Sequence, residues 1–242
     1  MLIFAMESSA KPASVAICED GELLGQYFQK SGLTHSRTLL VMAESLLNNL
    51  DLSAADIGLF AVASGPGSFT GVRIGVSAAK GLAWGSDKPV CGVSTLEAMA
   101  YQAPEPDALI CPVMDARRSQ VYNALFEWSD GKPVRLCEDR AISLEDLAAQ
   151  LRGTGGRFSC AIEQHKRTAT LGCIYLTGDG AEMTYDHFSS AGIPCRLAPF
   201  LLRYQTAYGV ALAAMNAEPV PAIDLEPSYL RPSQAERERA AL

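Results

Sequence analysis

A glycine-rich segment limits how this chain can fold. It spans residues 65 to 75, reads GPGSFTGVRIG, and follows the apolar run Ala61-Val62-Ala63, which is typical of a strand. The residues after it continue to Trp84 with the composition of a helix. Glycines permit positive φ and a close approach of neighbouring backbone, so the pattern predicts a strand, a tight turn and a helix in direct succession.

This turn has two readings from the residues alone. The start of a helix offers unpaired N–H groups and the positive end of the dipole, so Gly65, Gly67 and Ser68 are candidates for holding an anion. The same glycines are equally suited to a tight turn and close helix packing. The segment lacks the Lys-Ser/Thr ending of a Walker loop and the spacing of a dinucleotide fingerprint, so neither of those nucleotide-binding folds is indicated.

Composition sets the class of protein. The chain has 242 residues, of which 48% are hydrophobic and 19% charged, which is typical of one large or two modest globular domains. Its 27 acidic and 20 basic residues give a net charge of −7, which argues against a broad basic surface for nucleic acid. We expect a soluble protein, because no window approaches the ~20 apolar residues that cross a bilayer. Seven cysteines without a Cys-x-x-Cys pair indicate reduced thiols and a cytoplasmic location.

Hydrophobic periodicity predicts a similar order of elements in both halves of the chain. In the first half, strands are expected at 2 to 6, 14 to 18, 22 to 28 and 89 to 93, and helices at 36 to 50 and 70 to 85. In the second half, strands are expected at 109 to 114, 120 to 127, 133 to 140 and 173 to 177, and helices at 144 to 151, 181 to 190 and 200 to 216. Asp20-Gly21 predicts a hairpin turn and Ser143 a helix N-cap.

Several motifs together resemble those of the TsaB (YeaZ) family, bacterial subunits of the machinery that makes threonylcarbamoyladenosine in transfer RNA. The glycine-rich segment resembles the signature of that family. Other pieces follow in the family's order: IFAMESS at 3 to 9, HSR at 35 to 37, GVSTL at 92 to 96, DAR at 115 to 117, VY at 121 to 122 and EPSYLR at 226 to 231. The resemblance is strong over residues 1 to 125 and thin from there to about residue 220.

The resemblance implies an α/β fold of the actin-like and Hsp70-like (ASKHA) superfold, with two tandem ribonuclease-H-like lobes. We expect an N-terminal, partner-binding lobe at 1–103, a C-terminal lobe at 104–216 and a tail at 217–242. Residues 153–170 fit no element and are expected to be an irregular insertion. The tail is expected either to cross back onto the first lobe or to fray.

In ATP-using relatives of this superfold, phosphates bind between the lobes, near the turn after the first strand and near an acidic residue that holds magnesium. The corresponding candidates here are Glu7, Ser8, Ser9 and Asp115, which join Gly65, Gly67 and Ser68 as nucleotide-binding candidates. Members of the TsaB family generally carry aspartate where this chain has Glu7. For Asp115, a turn residue that accepts hydrogen bonds from backbone N–H groups is the alternative.

The chain shows no pattern of a catalytic centre. The resembling catalytic paralogue, TsaD, has two metal-holding histidines four residues apart, and Thr95 and Met99 fill those positions here. A thioether is a poor ligand for hard metals. The histidines, His35, His165 and His187, are too far apart in sequence for ligand spacing, and no nucleophile elbow is present. The sequence therefore predicts no catalytic residue, no metal site and no cofactor.

A stripe of small residues on the loop helix suggests a surface for another helix. Gly71, Gly75, Ala78, Ala79 and Leu82 form this stripe, and packing on the chain's own sheet is the alternative. The resemblance implies pairing with a TsaD-type subunit through this helix and through the helix that carries Leu39, Ala43 and Leu46.

The expected protein is thus a non-catalytic scaffold that works with TsaD and with the ATPase TsaE, and that meets tRNA only through the complex. The resemblance leaves room for a homodimer in isolation. Two other functions stay open: an ATP-dependent kinase or hydrolase of the same superfold, and a self-associating scaffold.

Overall fold

The computed structural model describes residues 1–152, 157–159, 168–170 and 172–231. A five-stranded sheet forms first, with the strand order β3-β2-β1-β4-β5. Its strands are β1 (Leu2–Glu7), β2 (Ala13–Glu19), β3 (Glu22–Gln29), β4 (Leu59–Gly65) and β5 (Val90–Ser94). The three N-terminal strands are antiparallel, and β4 and β5 run parallel to β1. The helices α1 (His35–Asn49) and α2 (Phe69–Gly85) connect them, with a 3-10 turn at Ala54–Asp56.

Both faces of the central strands of this first sheet are buried, whereas the edge strand β3 is partly exposed. Successive side chains of a strand point to opposite faces, so Phe4 and Met6 pack with α1 and α2 while Ile3 and Ala5 pack on the other side. That other side is covered by α7 (Ala207–Ala214). The apolar run of β1 is therefore continuous because neither face meets solvent.

A second sheet has the strand order β10-β7-β6-β13-β14, and β8 pairs with β6 and β9. Its strands are β6 (Ala108–Asp115), β7 (Gln120–Asn123), β8 (Phe126–Ser129), β9 (Lys132–Arg135), β10 (Arg140–Ser143), β13 (Cys173–Thr177) and β14 (Cys195–Leu197). The remaining helices are α3 (Thr95–Tyr101), α4 (Leu144–Leu151), α5 (Ala181–Ser190) and α6 (Phe200–Arg203), with a 3-10 turn at Ala222–Asp224. Ser143 accepts a hydrogen bond from the backbone N–H of Asp146, which confirms the predicted N-cap of α4.

Two predicted strands are wrong in extent. The segments 120 to 127 and 133 to 140 are four strands, β7 to β10, instead of two. The first break follows Asn123, whose buried side-chain amide donates to the carbonyls of Pro112 and Ala124 at 3.1 and 2.9 Å. The side-chain amide thus satisfies two main-chain carbonyls where the chain passes from β7 to β8 and the strand is interrupted.

The predicted helix at 200 to 216 is also two elements, α6 and α7. Carbonyl oxygens at the end of α6 accept hydrogen bonds from residues at the end of β13 instead of from a following helical turn. The N–H of Gly178 donates to the carbonyl of Arg203 at 2.6 Å, and Thr177 Oγ1 donates to that of Leu202 at 3.1 Å. These long-range bonds end the helix.

The segment expected to be irregular is partly regular. Residues 157–159 and 168–170 form a two-stranded antiparallel pair, β11 (Arg157–Ser159) and β12 (Thr168–Thr170), and the other residues between 153 and 170 lie outside the described residues. The cysteines among the described residues form no disulfide.

The tail crosses back onto the first sheet and is described up to Arg231, which contacts the end of β6, and residues 232–242 lie outside the described residues. Val220 pairs with Val90 of β5, and the N–H of Ser228 donates to the carbonyl of Ser64 at 2.7 Å. The division at residues 103 and 216 stays a prediction, and α7, assigned with the second lobe, packs on the first sheet. Within the part of the chain that is described, no helix has the length and apolar character needed to span a bilayer.

Candidate functional site

A cavity of about 400 Å³ opens where the ends of strands from both sheets meet. β1 is parallel to β4, and β6 is parallel to β13, so residues after their carboxyl ends lie at one edge of each sheet. The tail adds a further wall. The lining residues are Ser9, Ala10, Lys11, Gly67, Ser68, Phe69, Met114, Asp115, Ala116, Arg117, Tyr122, Asp179, Ser228, Tyr229, Leu230 and Arg231.

The candidates at the end of β1 and directly after it have different surroundings. Glu7 is fully buried, and its Oε1 accepts from the backbone N–H of Ser9 at 2.5 Å while its Oε2 has no partner among the described residues. The pKa of Glu7 is raised to about 7, mainly by burial and to a smaller degree by the charge of Asp179, while hydrogen bonding with Ser9 opposes the increase. Ser8 is also buried and donates to the carbonyl of Gly71 at 2.9 Å. Of the three, Ser9 lines the cavity, and its Oγ has no partner among the described residues.

Two carboxylates of the second sheet reach the cavity. Asp115 accepts a hydrogen bond at 2.8 Å from the backbone N–H of Arg117, so the turn contact is present and the side chain also lines the cavity. Asp179 accepts from Gln205 Nε2 at 3.1 Å. Burial raises the pKa of Asp179, the hydrogen bond from Gln205 opposes this, and the charge of Asp115 adds to the increase.

Asp179 was not among the sequence candidates. It stands between Gly178 and Gly180, directly after a strand that is parallel to β6, and this position is the signal that could have found it. Lys11, Arg117 and Arg231 place three cationic side chains on the lining of the same cavity. The arrangement combines carboxylates from one sheet with the glycine-rich turn of the other.

The glycines of the turn are used for close packing. An added Cβ would lie 2.2 Å from the carbonyl oxygen of Ser228 at Gly65, 2.5 Å from that of Ser9 at Gly67, and 2.1 Å from that of Ser8 at Gly71. Gly65 also has φ +127°, in the region that favours glycine. The hydroxyl of Ser68 accepts from the N–H of Gly71 and caps α2. Binding of an anion by Gly65, Gly67 and Ser68 stays a prediction.

The stripe assigned to a partner requires correction. Leu39, Ala43 and Leu46 on α1 and Gly71, Gly75 and Ala79 on α2 are buried in this chain, and only Ala78 and Leu82 are partly exposed. At Gly75 a Cβ would lie 2.5 Å from Ser8 Oγ and 3.2 Å from Val62 Cγ2. The physical reason is that one helical face cannot serve two partners at once, and here the small, apolar face covers the sheet.

The outward sides of both helices are more polar but carry exposed apolar residues. Leu40 is 51% exposed, and Val41 and Trp84 are exposed as well. The structure directs the faces of α1 and α2 that carry the buried residues toward the chain's own sheet.

The positions compared with metal-holding histidines lie in the core. Thr95 and Met99 of α3 are 0% and 1% exposed, and Met99 packs against Gly178. His35 is the first residue of α1, and its Nε2 lies 2.7 Å from the carbonyl oxygen of Ala10. His187 is half-buried in α5, and His165 lies outside the described residues. The described residues contain no group of three or more His, Cys, Asp or Glu side chains that could hold a metal ion.

A segment of the tail borders the cavity and joins the two sheets; we call residues 226–231 the strap. Tyr229 stacks on Phe69 with ring centroids 4.8 Å apart and accepts a hydrogen bond from Arg73 Nε at 2.7 Å. Arg231 donates to the carbonyl of Ala116 at 2.9 Å, on the side of the second sheet. The strap thus brings the EPSYLR motif into contact with the glycine-rich segment, although the two are far apart in sequence.

Solved structures identify the class of fold. YeaZ from Pseudomonas aeruginosa is 22% identical, covers 94% of this chain and 100% of its own, and superimposes with a TM-score of 0.72. Component A of (R)-2-hydroxyglutaryl-CoA dehydratase from Acidaminococcus fermentans is 12% identical, with coverages of 90% and 97% and a TM-score of 0.50. The chain is an α/β protein of the actin-like and Hsp70-like superfold, as the resemblance implied.

Sequence comparison gives the family. Residues 29–194 match the family model described as "TsaD: tRNA N6-adenosine threonylcarbamoyltransferase". The chain belongs to this family, and within it to the TsaB (YeaZ) group. The tRNA threonylcarbamoyladenosine biosynthesis protein TsaB of Bacillus subtilis (strain 168) is 37% identical over 152 residues, which cover 63% of this chain and 66% of that protein.

The protein of the same name from Escherichia coli (strain K12) is 37% identical over 129 residues, or 52% of this chain and 55% of its own length. The match thus spans between about half and two thirds of these relatives. Proteins named tRNA N6-adenosine threonylcarbamoyltransferase match as well, for example that of Chlamydia trachomatis serovar L2b at 28% identity over 145 residues, 54% of this chain and 43% of that protein.

Proposed function

We propose that this chain is a non-catalytic, activating subunit in the formation of N6-threonylcarbamoyladenosine next to the anticodon of tRNA. It pairs with a TsaD-type catalytic subunit, works with a TsaE-type ATPase in the cytoplasm, and meets tRNA through the complex. Support comes from the relatives named for this pathway and from the match to the transferase family model.

The proposal of a non-catalytic role depends on the residues at two positions of α3. Thr95 and Met99 occupy the positions compared with the metal-holding histidines of the paralogue, and both side chains are buried. A buried methionine contributes apolar packing and is a weak ligand for hard metals. The partner would therefore catalyse the transfer of the threonylcarbamoyl group, and this chain would supply a binding surface for the partner.

The surface proposed for the partner is the outward side of α1 and α2. Leu40 and Val41 are exposed on α1, Ala78 and Leu82 are partly exposed on α2, and the two helices contact each other. An apolar strip on neighbouring helices is suited to helices of a second protein, which would pack against it at about 8 to 10 Å between axes. These exposed residues are now the proposed partner surface, in place of the buried small residues Gly71, Gly75 and Ala79 that the helical spacing had suggested.

The test is reconstitution with the TsaD-type subunit of the same organism. Modification of tRNA is measured with this chain alone, with the partner and TsaE-type ATPase alone, and with the complete set, using metal-replete protein. We expect no turnover by the chain alone and strong stimulation in the complete set. Turnover by this chain alone at the rate of the complete set would refute the scaffold role.

A kinase or hydrolase of the same superfold is the second candidate, since the cavity joins Asp115 and Asp179 to the start of α2. Tight, magnesium-dependent ATP binding by the isolated chain would favour it. A self-associating scaffold is distinguished by mass measurement with and without the partner.

A further inference from the structure

Cationic side chains gather around the mouth of the cavity, in a chain whose net charge is −7. They come from the turn between β1 and β2, the first turns of α2, the turn between β6 and β7, and the strap. We call them the cationic rim: Lys11, Arg73, Arg117, Arg118 and Arg231. Three of them line the cavity, Arg73 donates to Tyr229 of its wall, and Arg118 follows Arg117. Positive charge concentrated in an acidic protein indicates a surface that meets an anion.

The charge of the rim is only partly neutralised by carboxylates. Within the described part of the chain, Arg117 is the one member of the rim with a carboxylate oxygen at ion-pair distance, and that oxygen, of Asp115, lies 4.0 Å away. Asp115 and Asp179 line the cavity and Glu226 begins the strap, so five cations meet three carboxyl groups. The rim therefore has charge available for a ligand.

Flat side chains stand among these cations. The guanidinium carbon of Arg73 lies 3.9 Å from the centroid of the Phe69 ring, and Phe69 stacks on Tyr229 at 4.8 Å. Tyr229 is 40% exposed, so a further planar group can extend the stack. Unpaired bases of RNA stack on aromatic rings and on arginine, while the phosphates beside them bind cations.

A buried hydroxyl group gives a second, independent indication of a ligand. Ser9 is 0% exposed and lines the cavity, and its Oγ has no partner among the described residues. A buried hydroxyl without a partner costs free energy, and an oxygen of a phosphate or a ribose would accept its hydrogen bond. The cavity, at about 400 Å³, has the size of a small-molecule site, so it suits one nucleotide and not a folded RNA.

We infer that, within the proposed complex, this chain itself contacts the tRNA: the cationic rim binds phosphates of a single-stranded segment, and a base stacks on Tyr229. The inference rests on the proposed function and adds an RNA contact to it. A single strand is favoured over a duplex because stacking on a side chain requires an unpaired base. The cations come from four separate parts of the chain around the mouth, which suits successive phosphates of a strand better than one mononucleotide.

The experiment removes two charges of the rim in the double variant Lys11→Ala/Arg118→Ala. The control, Lys132→Ala/Arg152→Ala, removes the same charge from exposed positions that do not line the cavity. Each full-length chain is combined with the TsaD-type partner, and binding of a labelled, unmodified tRNA transcript is measured by fluorescence anisotropy at several salt concentrations. For the rim variant, we expect the slope of log affinity against log salt to become shallower by about 1.4, or about 0.7 for each lost phosphate, and the affinity to fall about tenfold at physiological salt. The control should stay within about twofold.

Tyr229 is tested in the same way. Tyr229→Leu should weaken tRNA binding about fivefold or more, whereas Tyr229→Phe keeps the ring and should retain it. Partner affinity and melting temperature, measured on the same preparations, should be unchanged in the rim variant. Unchanged tRNA affinity and salt slope in a rim-variant complex that forms normally would overturn the inference and leave the proposed function intact. An equal loss in the control would overturn it too, because net charge alone would explain the binding. If the wild-type chain does not bind the partner, the proposed function itself is wrong.

Discussion

Single residues show where this chain departs from ordinary core packing. Glu7 is a carboxyl group at the end of a buried strand, and one of its oxygens has no partner among the described residues. Burial disfavours its charged form, so the carboxyl takes up a proton near neutral pH. The carboxyl of Glu7 thus lies in the core and does not line the cavity.

The first prediction concerns pH and Glu7. Its folded pKa of about 7 lies above the ordinary value of 4.5, so its contribution to stability is complete below about pH 4.5 and is lost as the pH rises through 7. The loss is on the order of 3 kcal/mol from about pH 4 to about pH 8. Glu7→Gln keeps an acceptor for Ser9 and cannot ionise, so we expect its melting temperature to fall less over this range than that of the wild type.

The matched control is Glu22→Gln at an exposed position of β3, which should melt with the pH dependence of the wild type. Some dependence should remain in Glu7→Gln, because burial also raises the pKa of Asp179. Equal pH dependence in the wild type and Glu7→Gln would show that Glu7 ionises normally in the folded chain.

The second prediction uses two glycines of α2. Gly75→Leu should destabilise the isolated chain by about 1 to 3 kcal/mol, because its side chain would meet Ser8 and Val62. This corresponds to a fall in melting temperature of about 2 to 4 °C for each kcal/mol. Gly81→Leu has no atom of a neighbour within 4 Å of the new Cβ and should stabilise the helix by up to about 1 kcal/mol. Equal melting temperatures for the two variants would contradict inward packing of Gly75.

Elements far apart in sequence are joined by the strap. It runs from the carbonyl of Ser64 at the end of β4, past the first turn of α2, to Ala116 at the end of β6. Lys80 of α2 donates to the carbonyls of Ile223 and Leu225 at 2.9 Å and fixes the approach of the strap. The position of the strap therefore depends on side chains of α2 more than on its own secondary structure.

The third prediction tests this attachment. Tyr229→Ala removes the stack on Phe69 and the hydrogen bond from Arg73, and an aromatic pair of this kind stabilises by about 0.5 to 1.5 kcal/mol beyond its buried area. Hydrogen exchange of the Ser228 amide, which donates to Ser64, should become faster, while that of Val220 should not change. Tyr229→Phe keeps the ring and should protect Ser228 nearly as well as the wild type. Unchanged protection in Tyr229→Ala would mean that the backbone bond alone holds the strap.

The molecule as a whole consists of two sheets, and the cavity lies where the ends of their strands meet. Carboxylates of the second sheet, cationic side chains and the glycine-rich turn line one cavity, while Glu7 and Ser8 do not. The carbonyl of Ser228 closely approaches Gly65, so the strap occupies space beside the turn. Partner binding, in contrast, is proposed for the solvent-facing sides of α1 and α2.

The fourth prediction is weak or absent ATP binding by the isolated chain. The carboxyl of Glu7 is buried and does not line the cavity, and the carbonyls of Ser9 and Ser228 pack closely against Gly67 and Gly65, so Glu7 and these turn glycines are not free to hold magnesium and phosphates. Calorimetry with magnesium and ATP should give no dissociation constant in the low micromolar range, about −8 kcal/mol of binding free energy. A low micromolar value that is lost in Asp179→Asn would instead favour a working nucleotide cleft.

Local patterns predicted most of the elements, and the resemblance of the motifs to a known family implied the class of fold. Alternating and continuous apolar runs identified β1 to β6 and β13, and the turn at Asp20-Gly21 and the cap at Ser143 appear as expected because their causes are local. The glycine-rich segment is a strand, turn and helix for the same reason. The motif order also led to the family.

Contacts between distant residues decided the rest. The breaks after Asn123 and Arg203 depend on hydrogen bonds to Pro112 and Gly178, which no local window contains. Asp179 joins the cleft because two parallel strands end side by side. The apolar stripe of α1 and α2 showed which side of each helix avoids water, but a helical pattern is the same whether that side meets its own sheet or another protein. The tertiary fold turned that side inward, because the first sheet needs cover on both faces.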